Sequence, residues 1–232
     1  MGGARRVVGA GPGRLRWAAA VLARGEGDGP MIVATVGAIG VPVDEVDERE
    51  ARLRDGPLAG ALPAVGTSEG RQLRRWLTQL IVTERVIAAE AAALGVTVGD
   101  APSEAELLPD ATARLEIGSI AAAALADPCA RAVYARVTAA VDVSDDAVAH
   151  YHARNPLRFA TAGPDRVGWR GPVVAAPPLD QVRGLIAEHL RDAARRRAFR
   201  VWLDERRAAL VRLAPGYEHP GDPRQPDNTH RH

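Results

Sequence analysis

The sequence predicts a mainly α-helical protein with a small β-element near its N-terminus. Two long stretches, 67–94 and 179–213, carry apolar residues at three- and four-residue spacing, the period of one helix face. Alanine is abundant and aromatics make up only 4% of the 232 residues, which favours long helices around a thin core. Only residues 32–43 alternate apolar and small side chains in the manner of strands.

Residues 1–30 read as a disordered or mis-started extension, because Met31 is followed at once by Ile-Val-Ala-Thr-Val. Arg5, Arg6, Arg14 and Arg16 before Trp17-Ala-Ala-Ala-Val-Leu-Ala23 resemble a secretion signal only in outline. The apolar run is short, and Arg24, Glu26 and Asp28 stand where a cleavage site would need small residues. Ile32, Ala34 and Val36, then Ile39, Val41 and Val43, form a strand, a turn at Gly37–Gly40 and a second extended piece. Asp44 is placed to cap a short helix, Glu45 to Arg54.

Thr67-Ser68 opens the most strongly marked helix, which Gly95 stops after Leu94. Its predicted apolar face is Leu73, Trp76, Leu77, Leu80, Ile81, Ile87, Ala91 and Leu94. Arg71, Arg74, Arg75 and Arg85 fall mostly off that face and read as a solvated basic edge; Asp44, Glu45, Asp47, Glu48 and Glu50 read as a solvated acidic helix start. Pro102-Ser103 begins a short acidic helix. Asp110 caps another through Leu115, Ile117, Ile120 and Leu125 to Asp127-Pro128, and Cys129 to Val141 is helical again. Ser144 caps Asp145 to Arg154, which Asn155-Pro156 ends. Residues 156–178 are irregular, with one strand expected at 166–169. A last helix spans Leu179 to Leu213, and a polar, Pro-rich tail, 214–232, follows that should add nothing to a core.

The formal net charge is +1, which gives no footing for nucleic-acid binding. All 30 basic residues are Arg; the absence of Lys excludes Schiff-base chemistry and a P-loop lysine. The single cysteine, Cys129, permits no internal disulfide and fits a reducing compartment, so the cytoplasm is the expected location. No run of about twenty apolar residues exists, so no membrane span is expected. No Gly-x-Ser-x-Gly elbow occurs, and Gly9-Ala-Gly-Pro-Gly13 lacks the strand and helix of a dinucleotide loop.

The order of elements resembles the SurA and PpiC-type parvulin family of folding factors. Val33-Ala-Thr-Val-Gly-Ala-Ile-Gly-Val-Pro-Val-Asp-Glu-Val-Asp47 resembles the family's opening strand, turn and helix. Arg74-Arg-Trp-Leu-Thr-Gln-Leu-Ile-Val-Thr-Glu-Arg-Val-Ile-Ala-Ala-Glu-Ala-Ala-Ala-Leu-Gly-Val96 is similar to its next long helix. Val143 to Phe159 resembles the helix leading into the parvulin domain, and Leu179 to Leu203 the helix that returns from it. About twenty residues stand between Phe159 and Leu179, where the family carries a prolyl-isomerase domain of roughly a hundred, the size of a small domain. The resemblance therefore implies the SurA N-terminal-like helical frame without its catalytic domain. Residues 31–155 would interlock with helix 179–213 across the linker 156–178, and no parvulin catalytic residue carries over.

What the resemblance implies functionally is a cradle for an unfolded peptide or a specific protein partner, with no catalytic residue of its own. Trp76, Leu80, Trp202 and Phe199 are the candidate anchors, with core packing as the alternative role for the two tryptophans. The thin core also leaves room for a homodimer. No cofactor is expected in the helical body. The tail offers a second reading, a divalent transition metal held by His219, Asp222, Asp227, His230 and His232, or else a free tail or a linear motif for a partner. A third reading is a pathway-specific enzyme on the same frame.

Overall fold

The computed structural model describes residues 30–99, 101–160 and 176–222, so the 1–29 extension and the expected strand at 166–169 lie outside the described residues. Strands β1 (Ile32–Val36) and β2 (Ile39–Pro42) form an antiparallel hairpin. Gly37 turns it with φ +59°, a left-handed conformation that costs a side-chain-bearing residue free energy. Helix α1 (Val43–Arg54) follows without a break. Its N-cap is Pro42 and not a side-chain cap; Asp44 lies one residue inside, in the first turn, because β2 runs straight into the helix.

Helix α2 (Ser68–Leu94) is bounded as its ends predict: the Thr67 side chain accepts from Gly70 N–H, and Gly95 closes it at φ +62°. Short helices α3 (Glu104–Leu107), α4 (Ala111–Ile117) and α5 (Ser119–Ala124) come next. The single helix expected from Asp110 to Leu125 is in fact α4 and α5, because Gly118 turns the chain at φ +88° between them. Helix α6 (Pro128–Thr138) is capped by Asp127 and α7 (Asp145–Arg154) by Ser144.

The final helix α8 (Leu179–Leu210) stops three residues before the predicted end. Val211–Leu213 is strand β3, which pairs antiparallel with β1, so β1 is the central strand in the order β2-β1-β3. The pairing wins over the helix period because β1 otherwise presents an unsatisfied edge. The C-terminal segment then crosses α2 instead of leaving the body. Arg75 Nε donates to Gly216 O at 3.0 Å and Gln79 Nε2 to Tyr217 O at 2.9 Å, while Tyr217 packs on the core. The first residues after β3 thus add to the fold, contrary to the expectation for the tail.

Two cores result. The larger is organised on α2, where Leu77, Ile81, Val82 and Val86 meet Val33, Val41 and Val46, then Ile117, Leu125 and Val133, and Phe199 and Leu203 of α8. The smaller consists of Val148 of α7 with Val182 and Ile186 of α8, edged by Tyr151, Phe159 and Leu190. Helix α2 buries far more than one face: Arg75, Thr78, Gln79 and Thr83 are buried as well. Thr78 and Thr83 satisfy their hydroxyls on the carbonyls four residues back.

Candidate partner-binding groove

Helices α2 and α6 diverge beside the first turn of α1 and leave an open groove of about 300 Å³. Its floor is apolar and small-featured. Ile81, Ile87 and exposed Ala88 come from α2, Ala124 from α5 and Ala130 from α6. Its rim carries Glu45, Glu84, Arg85 and Asp127.

Two cross-helix ion pairs fix that rim. Arg85 Nη2 bonds Glu45 Oε2 at 2.5 Å and Arg49 Nη2 bonds Glu84 Oε1 at 2.5 Å, so each carboxylate uses one oxygen in its pair. Arg85 also donates to Gly40 O at 3.4 Å, tying the rim to the hairpin. All four of these side chains are about one-third exposed, so the pairs position the rim more than they stabilise it. Deeper along the same seam, Glu50 is buried between Arg54 at 2.6 Å and Arg74 at 2.8 Å, with Asp47 on Arg74 at 2.5 Å. Burial alone would raise the Glu50 carboxyl; the bonds from Arg54 and Arg74 outweigh it and hold it below its ordinary value. Glu45, Asp47 and Glu50 of α1 with Arg74 and Arg85 of α2, together with the Arg49–Glu84 pair, therefore form an interlocking seam, while Asp44, Glu48 and Arg71 stay exposed.

Cys129 lines the groove. Asp127 Oδ1 accepts its backbone N–H at 2.6 Å, and burial followed by the Asp127 charge raises the thiol above its usual range. At neutral pH it is a protonated, weakly nucleophilic group, and the groove holds no activated nucleophile.

None of the four anchors expected from sequence lines this groove. Phe199 is fully buried, between Tyr134 at 5.1 Å and Trp202 at 5.5 Å between ring centroids, and Leu80 is 5% exposed. Both belong to the core, and neither offers surface to a peptide. Trp76 and Trp202 are half-buried against the same core, with Trp76 Nε1 donating to Ser119 Oγ at 3.3 Å. The groove residues escaped sequence reasoning because Ala88, Ala124 and Ala130 come from three helices. Nothing local marks small residues as a shared floor.

Of the tail residues proposed for metal, His219 and Asp222 are described. His219 Nδ1 accepts Gly221 N–H at 3.0 Å, and burial, then the neighbouring Arg207, lowers its pKa. Asp227, His230 and His232 lie outside the described residues. Among the described residues no group of three or more His, Cys, Asp or Glu could hold a metal ion. His152 Nε2 donates to Pro177 O at 2.9 Å and His189 Nε2 meets Tyr151 Oη at 3.2 Å, so both are occupied within the α7–α8 pair. Among the described residues no helix is long and apolar enough to cross a membrane.

A family of unknown function, DUF7158, matches residues 32–69, the segment from β1 through α1 to the start of α2. No curated protein and no solved structure matches the chain.

Proposed function

We propose that this protein is a non-catalytic chaperone or adaptor on a SurA N-terminal-like frame, and that the α2–α6 groove holds an extended stretch of peptide or partner. The groove itself carries this reading. An open trough with an apolar floor of small residues and a charged rim accepts varied side chains by contact while fixing the peptide's ends by charge. The site of action would be the cytoplasm, as the lone thiol suggests. Unfolded peptide is the general client; a dedicated protein partner is the narrower form of the same reading.

The test is suppression of aggregation of a chemically unfolded, proline-containing client, followed by light scattering and refolding rate. The parent chain should suppress scattering without accelerating the proline-limited phase. Ala88→Trp places an indole in the groove from an exposed position and should abolish the suppression while leaving thermal melting unchanged. Equal suppression by parent and variant would remove the groove from the function.

A further inference from the structure

The groove is apolar at its floor and unbalanced in charge at its rim. Of the charged residues that line it, Glu45, Glu84 and Asp127 are carboxylates and Arg85 is the guanidinium. Arg85 is already committed to Glu45 and to Gly40 O, and Glu84 to Arg49. Asp127 differs from them. It is exposed, its Oδ1 accepts the Cys129 N–H at the start of α6, and among the described residues it forms no ion pair. Its charge reaches into the groove, where, after burial, it is what raises the Cys129 thiol. The helix dipoles do not reverse this sign. The half-charges at the N-termini of α1 and α6 are outweighed by Asp44 and Asp127, each a full charge.

A ligand therefore meets a negative rim, and a guanidinium or ammonium group placed at Asp127 complements it. An anionic segment would have to draw Arg85 away from Glu45 to find a cation. The floor sets the apolar half of the preference. Ala88, Ala124 and Ala130 are small, Ile81 and Ile87 are aliphatic, and none of the described residues lining the groove is aromatic. A volume of about 300 Å³ is at the lower end for ligand sites; it suits an aliphatic side chain and offers an aromatic ring no stacking partner. We propose that the groove selects cationic clients: an extended segment whose aliphatic side chain fills the alanine floor and whose neighbouring lysine or arginine pairs with Asp127. This rests on the groove being the client site, and adds the sign of the charge that a client must carry.

The test is fluorescence anisotropy of the full chain with three amidated peptides that carry a neutral fluorophore. The first holds two leucines between two arginines in a glycine–serine frame. The second replaces the arginines by glutamates, and the third replaces the leucines by serines. The arginine–leucine peptide should bind about tenfold tighter than the glutamate peptide, as for one exposed pair gained against one opposed, and the margin should shrink in high salt. The serine peptide should lose most of its binding. Asp127→Asn removes the charge and keeps the helix cap, since asparagine caps as well as aspartate. It should weaken the arginine–leucine peptide about fivefold and close most of the margin. Equal affinity for arginine and glutamate peptides, with both lost in Ala88→Trp, overturns the charge selection and leaves the groove as the client site. A preference for arginine that survives Asp127→Asn or Ala88→Trp places the cation elsewhere on the surface and also overturns it, as does a preference for glutamate. If no peptide binds, the selection is overturned and the aggregation assay decides the groove by itself. Self-association of the parent in sedimentation that Ala88→Trp abolishes makes a second copy the occupant, and overturns the proposal as well.

Discussion

The body around α2 and the α7–α8 pair are built from similar helical sequence and are held in different ways. In the body, α2 is enclosed by α1, α5, α6, α8 and the sheet, and its charged residues are locked into the Glu50–Arg74 seam and the strap at Gly216–Tyr217. In the α7–α8 pair, three buried residues, Val148, Val182 and Ile186, stand alone as a core. The ion pairs there, Arg183–Asp145 at 3.2 Å and Arg191–Asp142 at 3.1 Å, lie on well-exposed carboxylates and contribute little. Global stability therefore resides in the first region, and the second opens on its own at lower free energy.

The sharpest way to break that contrast is Phe199→Ala, which removes the ring where α8 meets the main core. It should cost about 3–5 kcal/mol and lower the whole unfolding transition in denaturant. A small or purely local loss would mean that α8 is not part of the body. Next is Glu50→Gln, expected to cost about 2 kcal/mol by leaving two arginines without their shared carboxylate, a loss moderated because both are partly exposed. The sign with pH follows from its lowered pKa. The stabilisation is present above the ordinary carboxyl value of 4.5 and is lost as pH falls through the lower folded value. Melting of the parent should show that acid loss, and the variant should show less of it. Smallest is Val148→Ala, about 1 kcal/mol. It should speed amide hydrogen exchange in α7 while leaving α2 and the global melting midpoint in place. Matching changes in α2 would merge the two regions into one cooperative unit.

What the sequence made legible was local. Thr67 and Gly95 bracket α2, Ser103, Asp110 and Ser144 start their helices, and Asn155-Pro156 ends α7, because a cap is satisfied by residues within four of it. The small N-terminal hairpin was legible from its alternation. What escaped was decided at long range. Val211–Leu213 continues a helical pattern by composition and becomes a strand only because β1 offers it hydrogen bonds. The arginines of α2 look solvated until α1 is laid beside them. Leu115, one of the apolar residues of the single helix expected from Asp110, is 81% exposed, and that helix is broken at Gly118. For the candidate site, Trp76, Leu80, Phe199 and Trp202 were large and visible, whereas the groove joins three alanines to Ile81, Ile87 and Cys129, and only packing brings them together.

The position of β1 between β2 and β3 has a consequence for the order of synthesis. The strand is among the first of the described residues to leave the ribosome, yet one of its edges has no partner until Val211–Leu213 emerge near the other end of the chain. Closing so long a loop is slow, and its entropy must be recovered by contacts that form late. Throughout translation the hairpin carries an unpaired edge exposed to other nascent chains. A protein proposed to bind unfolded segments thus spends its own elongation as one of them.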